Sequence, residues 1–352
     1  ISAGHRVTAM AAPASAETIK CIENMGANFR PFPVQRNSVS PWRDVQTLLA
    51  LRIAFSELKP DVVLAYTIKP VIWCGIALMG LSRVRFFALI TGLGFAFQGQ
   101  GWVRNNLKRV VTWMYRASLR RARGVIFQNT DNREFFISHD LASAKKCHVV
   151  DGSGVDVSRF SFSVFPAIPP VFLLISRLLG EKGLREYANA ARLVKQAYPD
   201  AVCQLLGPED PSLDGISMEE VKAWDQAGDI QYLGETPDVR PFIANCHVYV
   251  LPSYHEGMPR TVMEAMAMGR PILTTNVPGC RETVVPGENG YLVPKADPEA
   301  LAERMIWFIE NRDQWQRMGQ ASRRMAEERF DVHKINAQML RIMGLTAEGG
   351  AA

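Results

Sequence analysis

The sequence is poor in the residues from which metal or disulfide chemistry is assembled. Its six cysteines, Cys21, Cys74, Cys147, Cys203, Cys246 and Cys280, include no Cys-x-x-Cys pair, and most stand in apolar surroundings. This argues against a disulfide scaffold or a zinc site and fits reduced, buried thiols in a cytoplasm. No Asp-x-Asp occurs, and no His/Cys/carboxylate cluster has metal-ligand spacing, so no metal is expected. The longest apolar run, residues 71–81, is too short to span a bilayer, and no secretory signal is legible. Short repeats are absent, and low complexity is confined to the trailing residues 348–352.

What is present is ordinary globular composition, 47% hydrophobic and 21% charged, over 352 residues, a length that suits two domains. The net charge of +5 conceals an asymmetry. Residues 1–150 carry 20 Lys+Arg against 8 Asp+Glu, a balance of +12, and residues 151–352 carry 20 against 27, a balance of −7. A basic half joined to a mildly acidic one points to a polyanionic partner for the first.

Hydrophobic patterning alternates short strands with helices. In the first half the spacing predicts strands at 29–34, 62–66, 86–90, 125–128 and 148–150, with helices at 16–25, 41–58, 71–81 and 104–122. In the second half it predicts strands at 171–176, 202–206, 230–233, 248–251, 272–275 and 291–293. Helices are predicted at 184–197, 218–227, 239–245, 260–268, 298–311, 314–329 and 332–343. Such alternation means parallel sheets, hence an α/β fold of two doubly wound halves. Residues 1–10 read as a helix end, a glycine stop and a second strand. The expectation is therefore a fragment lacking the first βα unit, roughly 20–30 residues.

One stretch organises the chain. Residues 248–251 form a buried strand, Pro252 to Met258 a loop, and Pro259 opens a helix that Gly269 and Pro271 end. Unpaired N–H groups and the positive end of the helix dipole at such a loop–helix junction bind diphosphates. Two carboxylates frame it, Glu256 and Glu264, with seven residues between. The alternative for Glu264 is a surface acid paired with Arg260 at i,i+4; for Glu256 it is a solvated loop acid. Upstream, a predicted strand runs into Ser176-Arg177, and Lys182-Gly183 precedes a helix. Arg177 can offer a planar fork and Lys182 a mobile point charge to a departing diphosphate, unless both are solvated surface cations.

Pro-Ser-x-x-Glu-Gly-x-Pro with Glu-x7-Glu, followed by Met-Ala-x-Gly-x-Pro, resembles the signature of the retaining glycosyltransferases of family 4. Ser-Arg-Leu-x-x-x-Lys-Gly at 176–183 is similar to their diphosphate clamp. The resemblance implies two Rossmann-like domains facing a cleft (GT-B). Residues 1–154 with a crossover helix at 332–345 would bind the acceptor, and residues 155–331 the nucleotide-sugar. It implies catalytic roles for Arg177, Lys182 and Glu256, with Glu256 by the donor sugar hydroxyls. The amides of Gly257, Met258, Pro259, Arg260 and Thr261 would line sugar and diphosphate (Pro259 through the turn it sets). Glu264 would accept from the ribose, and Gly207 and Gly234 would wall the nucleobase. No cofactor is implied beyond the UDP-sugar itself.

Thr91-Gly92-Leu93-Gly94-Phe95 and Tyr66-Thr67-Ile68-Lys69-Pro70 are similar to the capsular and lipid-linked-oligosaccharide subgroup. That subgroup includes bacterial transferases that add N-acetylgalactosamine to undecaprenyl-diphosphate sugars. Where many family members have His, Thr91 stands. The resemblance implies that Thr91, Gly92, Gly94, Lys69 and Arg281 face a polyprenyl-diphosphate-linked glycan, although Arg281 can equally be an exposed arginine. Residues 101–123 hold seven basic residues, two tryptophans and no acid. This fits an anionic membrane surface at the inner face of the plasma membrane better than a nucleic acid, whose modules leave no signature here. The expected activity is metal-independent transfer from a UDP-sugar with retention. The rivals are a nucleotide-sugar epimerase of like architecture and an inactive nucleotide-binding scaffold.

Overall fold

A computed structural model describes residues 1–34, 41–92, 102–167 and 169–346, and the side chains within those ranges except at 41 and 102–108. Two compact units are distinguished: residues 1–150 with the chain from Ala337 onward, and Asp151–Asn336.

Among the described residues the first unit holds two parallel sheets. β1 (Thr8–Ala11) pairs with β2 (Asn28–Pro31), flanked by α1 (Ala16–Asn24). A four-stranded sheet follows in the order β3 (Val62–Tyr66), β4 (Arg85–Ile90), β5 (Gly124–Phe127), β6 (Cys147–Val149). Strands taken in sequence by right-handed crossovers put their connecting helices on one face. Accordingly α3 (Ile68–Ala77) packs between α2 (Pro41–Leu58) and α4 (Trp102–Leu119). The α3–α4 approach is close: a Cβ on Gly75 would meet the Ser118 hydroxyl, which donates to the Val71 carbonyl at 2.7 Å. The core beneath is Leu51, Phe55, Val71, Phe86, Ile90, Tyr115 and Phe127, with Phe136 edge-on to Tyr115 and Phe127 at 5.2 and 5.0 Å.

Two elements differ from the periodicity. α3 starts three residues earlier than the predicted 71, because Pro70 falls in its first turn, where a missing N–H costs nothing. α5 (Thr130–Ser138) was not expected at all; its start is set by Asn129, whose side chain accepts from the Asn132 N–H at 2.8 Å.

The second unit is one six-stranded parallel sheet. Its strands are β7 (Val171–Ile175), β8 (Val202–Leu206), β9 (Gln231–Tyr232), β10 (Val248–Leu251), β11 (Ile272–Thr275) and β12 (Gly290–Val293), in the order β12-β11-β10-β7-β8-β9. Both faces are covered, as the wholly apolar, wholly buried central strands β7 and β10 require. Phe172, Leu174, Val248 and Val250 join one core, with α6 (Leu184–Ala197) and α10 (Pro298–Glu310). Leu173, Ile175, Tyr249 and Leu251 alternate into the other, with α9 (Arg260–Ala267) and α11 (Gln314–Arg329). α7 (Met218–Gln226) and α8 (Arg240–Ala244) complete this unit, and α12 (Val332–Met343) begins in it and ends in the first.

Buried Arg270 closes one corner of the sheet. It donates to the carbonyls of Ile243, Ala244, Ser163 and Val164 and to the Ser163 hydroxyl, and lies 4.6 Å over the Phe165 ring. A planar five-donor group can satisfy so many backbone acceptors where an ammonium cannot.

Candidate active site

Strand order decides where the second unit can bind a ligand. The chain winds outward from β7 on one side through β8 and β9. It then returns to β10 on the other side and winds out through β11 and β12. At this switch the loops after β7 and β10 diverge from adjacent strand ends, leaving the crevice in which open α/β sheets hold ligands. The two loops are those of Arg177–Lys182 and Pro252–Pro259.

They are locked together by backbone. The loop after β7 makes a 3-10 turn, Gly180–Lys182, ending in Gly183 at φ +73°. A Cβ on Gly183 would sit 2.1 Å from the Pro252 carbonyl oxygen, so only glycine admits this approach. The Tyr254 N–H donates to the Glu181 carbonyl at 2.8 Å, and the Tyr254 hydroxyl to Glu186 at 2.6 Å. Across this seam Lys182 Nζ meets Glu256 Oε1 at 2.6 Å, and the Ser253 hydroxyl donates to the same oxygen at 2.8 Å. Both ionic side chains are only about one-sixth exposed, at 16% and 15%. The solvated-acid and solvated-cation alternatives for Glu256 and Lys182 are thereby removed.

Arg177 is held otherwise. It pairs with Asp210, a buried carboxylate held below its usual range by the Ser212 hydroxyl first, then by the Ser212 N–H and Arg177. The Arg177 side chain itself remains more than half exposed. Asp214, on the same segment, accepts the Glu181 N–H at 2.7 Å and so orients the turn that carries Lys182. Asp210, Asp214, Glu186 and Tyr254 were not legible as site residues. None belongs to a recognisable spacing, and each matters only through a partner 33 or more residues away.

α9 begins at Arg260 with no side-chain cap, no acid in its first turn, and Pro259 extended at its N-cap. Its first amides thus remain at the positive end of a two-turn helix. Glu264, one turn in, is buried and pairs with Arg260 at 2.9 Å, while Arg260 is 67% exposed. The i,i+4 pair is real, but the acid is not a surface one. Burial pushes the Glu264 carboxyl up, and Arg260 offsets part of that push. Met258 and Thr261 flank the junction, Met258 buried. The turn at Gly279 closes over Glu256, whose N–H donates to Pro278 at 3.1 Å; a Cβ on Gly279 would lie 2.4 Å from the Glu256 carbonyl.

Gly207 and Gly234 end β8 and β9 side by side, joined by the Gly207 N–H to the Gly234 carbonyl at 2.7 Å. Gly207 is glycine because a Cβ there would lie 1.8 Å from the Ser176 carbonyl. Arg281 is exposed, on the 3-10 turn Arg281–Thr283. In the first unit Thr91 and Gly92 follow β4, half-buried, and Lys69 pairs with Asp44 at 3.2 Å. Beside Lys69, Thr67 has φ +68° and ψ 162°, a region a β-branched residue enters only under constraint and one that clusters at functional ends of strands. Gly94, Phe95 and the side chains of 102–108 lie outside the described residues. Among the described residues no group of three metal-ligating side chains occurs.

A family model for "Glycosyl transferase 4-like domain" matches residues 1–152, and one for "Glycosyl transferases group 1" matches residues 159–325. The chain is a glycosyltransferase. Its first half matches the 4-like domain and its second the group 1 domain, and the crevice at β7 and β10 lies wholly within the second. Among curated relatives it is 26% identical over 305 residues to N,N'-diacetylbacillosaminyl-diphospho-undecaprenol alpha-1,3-N-acetylgalactosaminyltransferase of Campylobacter jejuni, covering 82% of this chain and 78% of the relative. It is 25% identical to UDP-Gal:alpha-D-GlcNAc-diphosphoundecaprenol alpha-1,3-galactosyltransferase of Escherichia coli (80% and 74% covered). It is 23% identical to the capsular polysaccharide glycosyltransferase CapM of Staphylococcus aureus (86% and 81%). In fold, this glycosyltransferase matches a crystal structure of Anabaena HepE in complex with UDP. The TM-score is 0.77 at 20% identity over 96% of this chain and 91% of that one. The fold is thus the GT-B type.

Proposed function

We propose that this glycosyltransferase moves an N-acetylhexosamine, such as N-acetylgalactosamine, from a UDP-sugar to a polyprenyl-diphosphate-linked saccharide, with retention and without a metal. The observation that carries the reading is the Lys182–Glu256 pair at the β7/β10 switch, beside the uncapped start of α9. It juxtaposes a cation for a leaving diphosphate, an acid for sugar hydroxyls and helix amides for phosphate oxygens. Two relatives whose names specify undecaprenyl-diphosphate-linked sugars support the acceptor class.

In this reading the bond between the anomeric carbon and the diphosphate oxygen breaks while the acceptor oxygen bonds the same face of that carbon. The acceptor's proton passes to the departing diphosphate, whose charge Arg177, Lys182 and the amides of Gly257, Met258, Arg260 and Thr261 stabilise. Glu264 accepts from the ribose, two carboxylate oxygens suiting a cis-diol. Gly207 and Gly234 border the nucleobase. Lys69, Thr91, Gly92, Gly94 and Arg281 serve the acceptor, and residues 102–123 hold the enzyme peripherally at the inner face of the membrane. Among the described residues no helix is long and apolar enough to cross a membrane.

The test is UDP release from a panel of UDP-sugars with and without a polyprenyl-diphosphate saccharide. Release that requires the acceptor, survives EDTA, and falls roughly 10²–10³-fold in Arg177→Ala supports the proposal. Conversion of the UDP-sugar without acceptor would replace it by epimerisation, and strict dependence on added Mg²⁺ would refute the metal-free clamp.

A further inference from the structure

α2 is apolar on two sides, and only one is accounted for. Leu51, Ala54 and Phe55 enter the core of the first unit. On the other side Trp42, Val45, Leu49 and Ile53 are 73%, 44%, 55% and 56% exposed. Their spacing of three, four and four residues makes one continuous stripe, about 16 Å long at the helical rise. A surface helix normally turns a polar face outward, and a contiguous exposed stripe marks a contact surface. Along it, exposed Arg43 and Arg52 flank the stripe on opposite sides, while Asp44 and Glu57 are already paired with Lys69 and Arg30.

α4 lies in the same helix layer, on the far side of α3. Its outward positions, Arg109, Val110, Trp113 and Arg116, follow one helical face that Arg120, just past its end, prolongs, and Trp113 is 68% exposed. Arg116 is committed to the carbonyls of His139 and Asp140, at 2.8 and 3.0 Å, and Arg121 to Leu78 at 3.3 Å. Arg109 and Arg120 are therefore the exposed cations of this face whose side chains serve no such backbone contact among the described residues.

We propose that α2 and α4 form one membrane-contact face. The Trp42–Val45–Leu49–Ile53 stripe enters the interface of an anionic lipid bilayer, and Arg43, Arg52, Arg109 and Arg120 meet its headgroups. The occupant follows from charge and side-chain type. A second copy would bring the same arginines together, in a half carrying +12, whereas an anionic surface attracts them. Exposed tryptophan on both helices suits an interface that is apolar on one side and wet on the other. The inference rests on the membrane-linked acceptor proposed above. It extends the apolar part of the anchor beyond residues 102–123, to a helix whose sequence carries no basic cluster.

The experiment is sedimentation of the full chain with phosphatidylglycerol–phosphatidylcholine vesicles, compared with phosphatidylcholine alone. Leu49→Glu/Ile53→Glu and the milder Leu49→Ser/Ile53→Ser should each bind anionic vesicles at least about tenfold more weakly, the loss of one such buried side chain or more. Arg109→Gln/Arg120→Gln should weaken binding mainly at low salt. UDP release with a short-chain, water-soluble lipid-diphosphate acceptor should stay within twofold of the parent in both Leu49/Ile53 pairs. Because vesicle binding needs no turnover, a parent that binds vesicles but does not transfer would count against the acceptor reading alone. Unchanged sedimentation of both Leu49/Ile53 pairs would overturn the membrane face. So would a parent dimer that those substitutions make monomeric.

Discussion

Replacing Lys182 by Met and Glu256 by Gln, singly and together, separates the stabilising from the proposed catalytic use of the central ion pair. Lys182→Met leaves Glu256 with the Ser253 hydroxyl but without its cation, in a site about one-sixth exposed. Breaking a fully buried pair from one side costs about 3–5 kcal/mol, and an exposed one at most about 1. At this intermediate burial about 1–3 kcal/mol is expected. Glu256→Gln keeps the shape and the Ser253 contact but strands the Lys182 ammonium, at similar cost. The double variant removes both charges, so it should be more stable than the sum of the single losses by roughly 1–3 kcal/mol, the range for residues in direct contact. Urea melts of the four proteins measure that coupling. Turnover should not recover in the same way: each single variant should lose roughly 10²–10³-fold, and the double no less. Stability losses that add within about 0.5 kcal/mol, or a double variant that regains activity, would refute the idea that one pair does both jobs.

Gly183→Ala would drive a Cβ into the Pro252 carbonyl and is strained at φ +73°. A drop in donor affinity and a lower melting temperature should appear together, and a variant with parental Tm would show that the two loops are not interlocked. Tyr254→Phe removes the hydroxyl bond to Glu186 while keeping the ring. It should cost about 0.5–1.5 kcal/mol in stability and raise KM for the UDP-sugar, with kcat less affected; unchanged KM would separate the brace from the site. His247 predicts the acid limb of stability. Its Nδ1 accepts the Val171 N–H at 3.0 Å, and Nε2 faces the Pro166 carbonyl at 3.0 Å, so the native ring is neutral. Burial first, then Arg270 and Arg312, lowers its pKa. The unfolded chain thus takes up a proton that the native one refuses. Stability should be complete above about 6.5 and fall as pH drops below it, and less steeply in His247→Gln. Parallel urea midpoints from pH 7.5 to 5.5 in the two proteins would exclude His247 as the cause.

Local order was legible because it is written at short range. Apolar runs bounded by turn residues marked β7, β10 and β11 as buried strands, and Pro259 and Gly269 bracketed α9. Glu256 and Glu264 stood out by their spacing within the Pro-Ser-x-x-Glu-Gly-x-Pro and Met-Ala-x-Gly-x-Pro frame, since both lie on one strand–loop–helix unit. The asymmetry of charge needed only counting. Tertiary structure decided the rest, because its causes lie far apart in the chain. Lys182 reaches Glu256 across 74 residues because β7 and β10 are neighbours in the sheet, a fact of topology that no local pattern encodes. The same is true of Asp210 and Asp214, which hold Arg177 and the turn carrying Lys182 from 33 residues away, and of Gly207, whose missing side chain is demanded by the Ser176 carbonyl. α2 shows the limit most plainly. Its sequence carries apolar residues on two opposite sides, and periodicity alone does not say which of them is buried. Only the packing of α3 against one side shows which apolar face is core and which is left to face something else.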